Sequence, residues 1–295
     1  MKIATLNLLN STFMLRERLA RLADELNDEG VDFLLLQEAL RRKNAKLDIA
    51  AVLGDALGLR HSAEYHRPGT SYGLLTLSRH PLERIDVPLP SEHTQMLATG
   101  SVVGGRRVVI VNTHGAWGSF RGHDRLREAV LADDIARSAF DAVPGVKGRP
   151  LRDVRPVVVY AGDLNTTPDS PAIRFLTGRE NAGERSTMWL DAWDETGQGD
   201  GHTIGRTASG EPNPLGVRDV QSRALTASYR PERVPNLRYD YVLVHEWAYG
   251  QAGEPVSARR FGTEEFTAVH PQDGTPVSLC ISDHYGVLTE LWMPA

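Results

Sequence analysis

Three near-continuous apolar runs of strand length stop at polar residues of the kinds that do chemistry. No other feature constrains the fold as strongly. Val31–Leu36 ends in Gln37-Glu38, Val108–Asn112 runs into Thr113-His114, and Pro156–Ala161 ends in Gly162-Asp163-Leu164-Asn165. A run without polar alternation suits a strand covered on both faces. Polar residues where such strands stop suit a ligand site, since ligands gather at strand ends and adjoining loops in layered sheet folds.

The rest of the chain fits between these strands. Ile3, Thr5 and Leu6 form a strand ending at Asn7, and Ser11 or Thr12 is placed to cap a helix. Leu15, Leu19, Leu22 and Leu26 recur at helical spacing, and Gly30 closes that helix. A second helix is expected from about Ala45 to Leu57, closed by Gly58, and a third from Arg125 to Phe140. Further strands are expected at Tyr72–Ser78, Met96–Val103, Tyr239–Val244 and Gly286–Trp292, with Gly104-Gly105 as a hairpin turn. Ser170-Pro171 reads as the cap and first-turn proline of a short helix. Residues 198–235 show no sustained period and read as a long functional loop. That loop carries Arg206, Arg218, Arg223, Arg230 and Arg233 against Asp200, Glu211, Asp219 and Glu232. Its composition predicts a surface wall or lid bearing on substrate choice. No repeat or composition shift marks a boundary, so the reading is one α/β or α+β layered sandwich over residues 1–295.

Composition narrows the function. No run of 18 apolar residues occurs, so no spanning helix is expected. The opening MKIATLNLLN has no apolar signal core, which makes the cytoplasm the default expectation, and a monomer is the default assembly. The single cysteine, Cys280, excludes a disulfide framework and any multi-cysteine zinc site and reads as a buried small hydrophobe. A net charge of −5 excludes a generic basic nucleic-acid binder. Arg149, Arg152 and Arg155 form a local basic cluster that reads as a solvated loop.

The polar strand ends are Asn7, Glu38, His114, Asp163 with Asn165, Asp240, and Asp283-His284. Carboxylate and amide oxygens suit the hard cations Mg²⁺, Mn²⁺ and Ca²⁺. Two histidines add groups that move protons near neutral pH. Such a set points to metal-assisted hydrolysis of a phosphate ester. Taken alone, either histidine would read as structural, and Asp240 as a surface acid. Asp240, however, sits in an apolar strand where an unpaired carboxylate is costly.

Seven segments in order carry a resemblance. They are TLNLLN with Asn7, LLLQEA with Glu38, SYGLLTLSRHPL at 71–82, VNTHG with His114, YAGDLNTTP with Asp163 and Asn165, RYDYVLV with Asp240, and ISDHYGV with Asp283-His284. The chain resembles the endonuclease/exonuclease/phosphatase superfamily, which includes deoxyribonuclease I, exonuclease III and the neutral sphingomyelinases. The resemblance implies a four-layered α-β-β-α sandwich with the site at one edge of two packed sheets. It implies Glu38 as the principal metal ligand, Asn7 beside it on metal or phosphate, and Asp283 near the metal. It also implies that Asp163 orients the attacking water and Asn165 donates to a phosphate oxygen. His284 would contact phosphate and act as base, with Asp240 fixing its tautomer, and His114 would assist the leaving group. An acid is expected to partner His114, and Glu64 is the candidate.

The substrate is read as a phosphodiester, with nucleic acid favoured over phospholipid. GHTIG at 201–205, NPL at 213–215 and RYDYVLV follow a sphingomyelinase-like order, which keeps a lipid phosphodiesterase as the alternative. Against it, the 251–276 region offers only Phe261 and Phe266 for an aromatic-rich exposed hairpin. An inositol-phosphate phosphatase and a non-catalytic binding relative are minor alternatives. Trp117 and Phe120, in a Gly-rich loop after His114, read as packing residues or as a rim that stacks on bases or dips into lipid.

Overall fold

The computed structural model describes residues 1–142, 154–216, 236–246 and 250–294. In chain order the elements are β1 Lys2–Asn7, α1 Leu15–Leu26, β2 Phe33–Leu40, α2 Arg42–Ala45, α3 Ile49–Leu57, β3 His61–Tyr65, β4 Tyr72–Ser78 and β5 Glu83–Ile85. There follow β6 Gln95–Val103, β7 Arg106–His114, α4 Gly122–Asp141, β8 Val157–Asp163, β9 Trp189–Asp191, β10 Asp240–His245, β11 Pro255–Phe261, β12 Phe266–Val269, β13 Pro276–Leu279 and β14 Gly286–Leu291. Short helices at Pro171–Leu176 and Ala192–Thr196 flank β9.

Two mixed six-stranded sheets form, in the orders β11-β14-β1-β2-β4-β3 and β5-β6-β7-β8-β10-β9. The parallel pairs are β1 with β2 and β7 with β8. Side-chain alternation sorts the apolar runs into layers. Ile3, Phe33, Leu35, Val108, Ile110, Val157, Val159, Val242 and Val244 meet between the sheets. The intervening Leu6, Leu34 and Leu36 pack outward on Leu19 and Leu22 of α1 and Leu53 of α3. Val109, Val111, Val158 and Tyr160 pack outward on Ala129, Ala132 and Ala136 of α4. The result is the four-layered α-β-β-α sandwich.

Polar residues interrupt the inter-sheet layer near its upper edge. Gln37 Nε2 donates to Asn112 Oδ1 at 2.8 Å and to Thr5 Oγ1 at 3.1 Å. Asn112 Nδ2 lies 3.2 Å from the Leu75 carbonyl and 3.3 Å from that of Leu36. This buried, satisfied network bridges the sheets and floors the site described below.

Several boundaries differ from the sequence expectation. α1 starts after Met14, which is left-handed and makes no side-chain cap; Ser11 Oγ instead accepts from Phe13 N. The helix expected from Ala45 begins at Ile49, because Lys46 is left-handed and Asp48 caps Ala51 N at 3.0 Å. Gly104 and Gly105 both have positive φ, the backbone that a tight β6–β7 hairpin requires. The strands β3, β5, β9 and β11–β13 were not expected. Among the described residues, no helix is long and apolar enough to cross a membrane.

Candidate active site

The period that builds the inter-sheet layer also builds the site. Asn7 continues the inward series Ile3, Thr5; His114 continues Val108, Ile110, Asn112; Asp163 continues Val157, Val159, Ala161; and Asp240 precedes Val242 and Val244. Strand register then aligns them, since His114 and Asp240 both pair with Asp163 across β8.

Asp163 lies at the centre. Its Oδ2 accepts from Asn7 Nδ2 at 2.9 Å, and its Oδ1 accepts from Asn165 N at 2.8 Å. The same Oδ2 lies 3.5 Å from His114 Nε2 and 3.8 Å from His284 Nε2. His284 turns its other nitrogen, Nδ1, to Asp240 Oδ2 at 2.9 Å. Burial raises Asp240 and would lower His284, each toward its neutral form. The charges of Asp240 and then Asp163 more than offset this at His284, whose pKa ends well above the ordinary imidazole value.

Glu38 arrives by a different route. Strict alternation would point it outward with Leu34 and Leu36. A bulge between Leu36 and Ala39 breaks the β2–β4 register, and Glu38 has φ 53°. Bulges beside active sites re-aim side chains in this way. Glu38 Oε1 thereby faces His114 Nε2 at 3.8 Å, while Oε2 accepts from Asn10 N at 2.9 Å and from Asn10 Nδ2. Asn165 is also left-handed, at φ 50°, and its Nδ2 donates to Gly115 O at 3.0 Å. Asp283 accepts from Ser282 Oγ at 3.1 Å, beside His284. The structure thus gathers Glu38, His114, Asp163, Asp240 and His284 at one edge of the two packed sheets, with Asn7 and Asn165 bonded to Asp163.

The donor set fits a divalent cation. Among the described residues, no Lys or Arg forms an ion pair with Glu38, Asp163 or Asp240; their ion-pair partners are imidazoles. Such a concentration of carboxylates is balanced by a hard cation. Asp163, Asp240 and His284 each offer one ligand atom, all within 4.8 Å of one another. The Asp240–His284 hydrogen bond occupies Nδ1 and leaves Nε2 of that imidazole open.

Two expectations change. Glu64 does not partner His114: it lies on β3, half-exposed, 2.9 Å from His66. Among the described residues, His114 Nδ1 is buried with no hydrogen-bond partner. The loop from residue 198 is not all surface: Thr203, Thr207, Asn213 and Leu215 are buried. Ile204 bridges to both Leu237 and His284, and Thr203 Oγ1 accepts from Tyr239 N and Asp240 N at 3.0 and 3.1 Å. The described half of that loop therefore braces the His284–Asp240 pair. Residues 217–235 with Arg218, Asp219, Arg223, Arg230, Glu232 and Arg233, and the basic-cluster members Arg149 and Arg152, lie outside the described residues.

Arg18 was missed. It is fully buried on α1 and donates to four carbonyls: Leu8 at 2.7 Å, Ser11 at 2.8 Å, Ile281 at 3.1 Å and Phe13 at 3.2 Å. It joins the loop after Asn7 to the segment leading into Asp283-His284. Arg18→Met is expected to cost about 3 kcal/mol or more, because buried acceptors lose their donors. Urea unfolding measures this, and a loss under about 1 kcal/mol would mean that water satisfies those carbonyls. Arg18→Lys should recover only part of the loss, since one ammonium cannot span four acceptors.

Two packed mixed sheets, outer helices and an edge cluster of acids, amides and histidines define a deoxyribonuclease I-like α/β sandwich. The profile of the Endonuclease/Exonuclease/phosphatase family matches residues 4–284, and the chain belongs to that family. Members of the family are phosphoester hydrolases. The fold is shared with truncated TDP2 of Caenorhabditis elegans (TM-score 0.63, 16% identity, 99% of this chain and 97% of that one). It is shared with D. rerio TDP2 complexed with a single-strand DNA product (TM-score 0.64, 16% identity, 99% of both chains). It is also shared with sphingomyelinase C of Streptomyces griseocarneus (TM-score 0.63, 19% identity, 98% of both chains). No curated protein sequence matches the chain significantly.

Proposed function

We propose that this protein is a divalent-metal-dependent phosphodiesterase that hydrolyses nucleic-acid phosphodiester bonds. The observation carrying the reading is the convergence of His284, held by Asp240 at 2.9 Å, with His114 on Asp163. Glu38, Asn7 and Asp283 are the residues that would hold Mg²⁺ or Mn²⁺, with Ca²⁺ a further candidate. When bound, the cation would neutralise phosphate charge and acidify water.

The chain's own residues would do the rest. Asp240 accepts from Nδ1 of His284 and so leaves Nε2 as the nitrogen facing substrate. Asp163 is tied down by Asn7 and Asn165 N and is placed to orient a water for in-line attack. Asn165 would donate to a phosphate oxygen once its side chain leaves the Gly115 carbonyl. His114 Nε2 would protonate the leaving oxygen, as general acids do.

The neighbouring D. rerio structure holds single-strand DNA, which supports a nucleic-acid substrate. The sphingomyelinase C neighbour supports the lipid alternative. Against that alternative stands the ribbon β12–β13, whose turn from His270 to Thr275 carries no large apolar residue; only Val269 beside it is strongly exposed. The test is turnover with Mg²⁺ or Mn²⁺ on single- and double-stranded DNA, RNA, sphingomyelin vesicles, inositol phosphates and bis-nitrophenyl phosphate. Nucleic-acid cleavage that stops in excess chelator is expected. Undiminished turnover in chelator, or cleavage of sphingomyelin alone, overturns the reading.

A further inference from the structure

A pocket of about 500 Å³ adjoins the cluster, walled by Trp117, Gly118, Arg125, Asn165, Thr166 and Tyr239. We propose that this pocket seats the base of a nucleotide flanking the scissile phosphate, with the Trp117 indole as its stacking face. The proposal rests on the nucleic-acid reading above and adds where the base goes.

Continuity with the cluster comes first. Asn165 is shared: its backbone N–H donates to Asp163 and its amide holds the Gly115 carbonyl. Tyr239 directly precedes Asp240. Asn165 thus belongs to both the cluster and the pocket wall.

Trp117 is 67% exposed, and among the described residues no ring or cation stacks on it. It does not sit on a loose loop. Glu128, buried on α4, accepts from Ala116 N at 3.2 Å. Arg125 Nη1 donates to Ala116 O at 2.7 Å and to Gly118 O at 2.8 Å. Gly118 has φ 107°, a backbone that a side chain would strain, and a Cβ there would lie 3.2 Å from the Phe120 ring. The first turns of α4 thus grip the Trp117 loop from both sides. A large apolar ring on an anchored backbone and bare to water is placed for a partner before the partner arrives.

Charge chooses among partners with a suitable face. A quaternary ammonium headgroup would need aromatic walls free of cations. Arg125 lines this pocket, while Arg121, 5.2 Å over the neighbouring Phe120 ring, is paired with Asp124 at 3.1 Å. The Arg125 guanidinium disfavours a cation but suits a neutral π-face whose flanking phosphates are anionic. The volume is that of an ordinary small-ligand site. A larger groove of about 920 Å³ between β5, β7 and α4 holds none of the cluster residues and lacks this link to the chemistry.

The test uses short oligonucleotides in Mg²⁺ with one ordinary phosphodiester among methylphosphonate linkages. The nucleotide on each side of it carries either its base or an abasic tetrahydrofuran. For the native protein, removing the base on one side is expected to lower kcat/KM roughly ten- to a hundredfold, the range of one base–aromatic stack. In Trp117→Ala that base-to-abasic ratio should fall towards one, and in Trp117→Tyr most of it should return. An unchanged melting temperature in both variants separates this from a folding loss, since the indole is mostly in water. A ratio in Trp117→Ala equal to the native one, or no base dependence in the native protein, overturns the base site while nucleic-acid cleavage stands. If no oligonucleotide is cleaved and sphingomyelin vesicles are, the nucleic-acid reading fails and takes the base site with it. A drop in vesicle binding by Trp117→Ala would then mark the indole as a lipid contact.

Discussion

Replacing His284 by asparagine is expected to lower diester turnover by roughly three to five orders of magnitude, combining lost proton transfer with lost contact to the reacting phosphate. Asparagine is chosen because its amide nitrogen occupies nearly the position of imidazole Nδ1. The Asp240 Oδ2 partner at 2.9 Å is therefore kept, and only the Nε2 edge that faces Asp163 is deleted. Alanine would strip a fully buried carboxylate of its donor as well, and stability and rate would fall together. Asp240→Asn alone should cost about a hundredfold, as expected for a residue acting through the one it orients. In the His284→Asn background the same change should cost little more, because residues acting as a unit are strongly non-additive. Turnover of bis-nitrophenyl phosphate at saturating Mg²⁺, with circular dichroism and melting as folding controls, reads all three variants. Simple multiplication of the two single losses would separate Asp240 from His284 and leave the carboxylate a structural role only.

The layout of the cluster was legible because one period does two jobs. Alternation that buries Val108, Ile110, Val157 and Val159 between the sheets must also carry His114 and Asp163 to the same side one step beyond the apolar layer. Any sequence that stops an inward-facing strand with an acid or histidine declares where that group points. Glu38 escapes this rule. Its parity is wrong, and only the bulge at Leu36/Ala39 and its left-handed backbone turn it inward. Nothing local in LLLQEA signals that bulge; its place at the end of an apolar run, not its parity, singles out Glu38. Arg18 left a readable sign: it interrupts the apolar stripe of Leu15, Leu19 and Leu22, where a charge is tolerated only with buried acceptors to meet it.

The segment from Gly201 to Leu215 could not be read in the same way. Its burial depends on partners far off in sequence, Leu237 and His284 for Ile204 and Ser282 for Asn213, and it has no period of its own. The short strands β3, β5 and β12 were illegible for a related reason. They lie at sheet edges or in a separate ribbon with side chains partly in water, so alternation barely registers in their composition.

Glu38→Gln is expected to separate metal binding from folding. The native protein should melt higher when Mg²⁺ is added, because a ligand that binds only the folded state stabilises it, by about 2.7 kcal/mol at a hundredfold excess over Kd. For a chain of this size that corresponds to a rise of roughly 4–5 °C. The carboxylate of Glu38 stands in a cluster with Asp163 and Asp240 in which the described ion-pair partners are imidazoles and no lysine or arginine. Replacing it by an amide of the same shape removes one of three neighbouring negative charges. Without metal, the variant should therefore melt at or slightly above the native temperature. The strained backbone at residue 38 is the same in both, and glutamine can still accept from Asn10 N through its carbonyl oxygen. With Mg²⁺, the rise should be largely absent, and turnover should fall by about a hundredfold or more from the loss of charge stabilisation at the phosphate. The two readouts pull apart the competing accounts. A variant that melts far below the native protein without metal would make Glu38 a structural acid bound to Asn10. A variant that keeps the full Mg²⁺-dependent rise would move the cation away from Glu38, to the Asp163, Asp240 and His284 group.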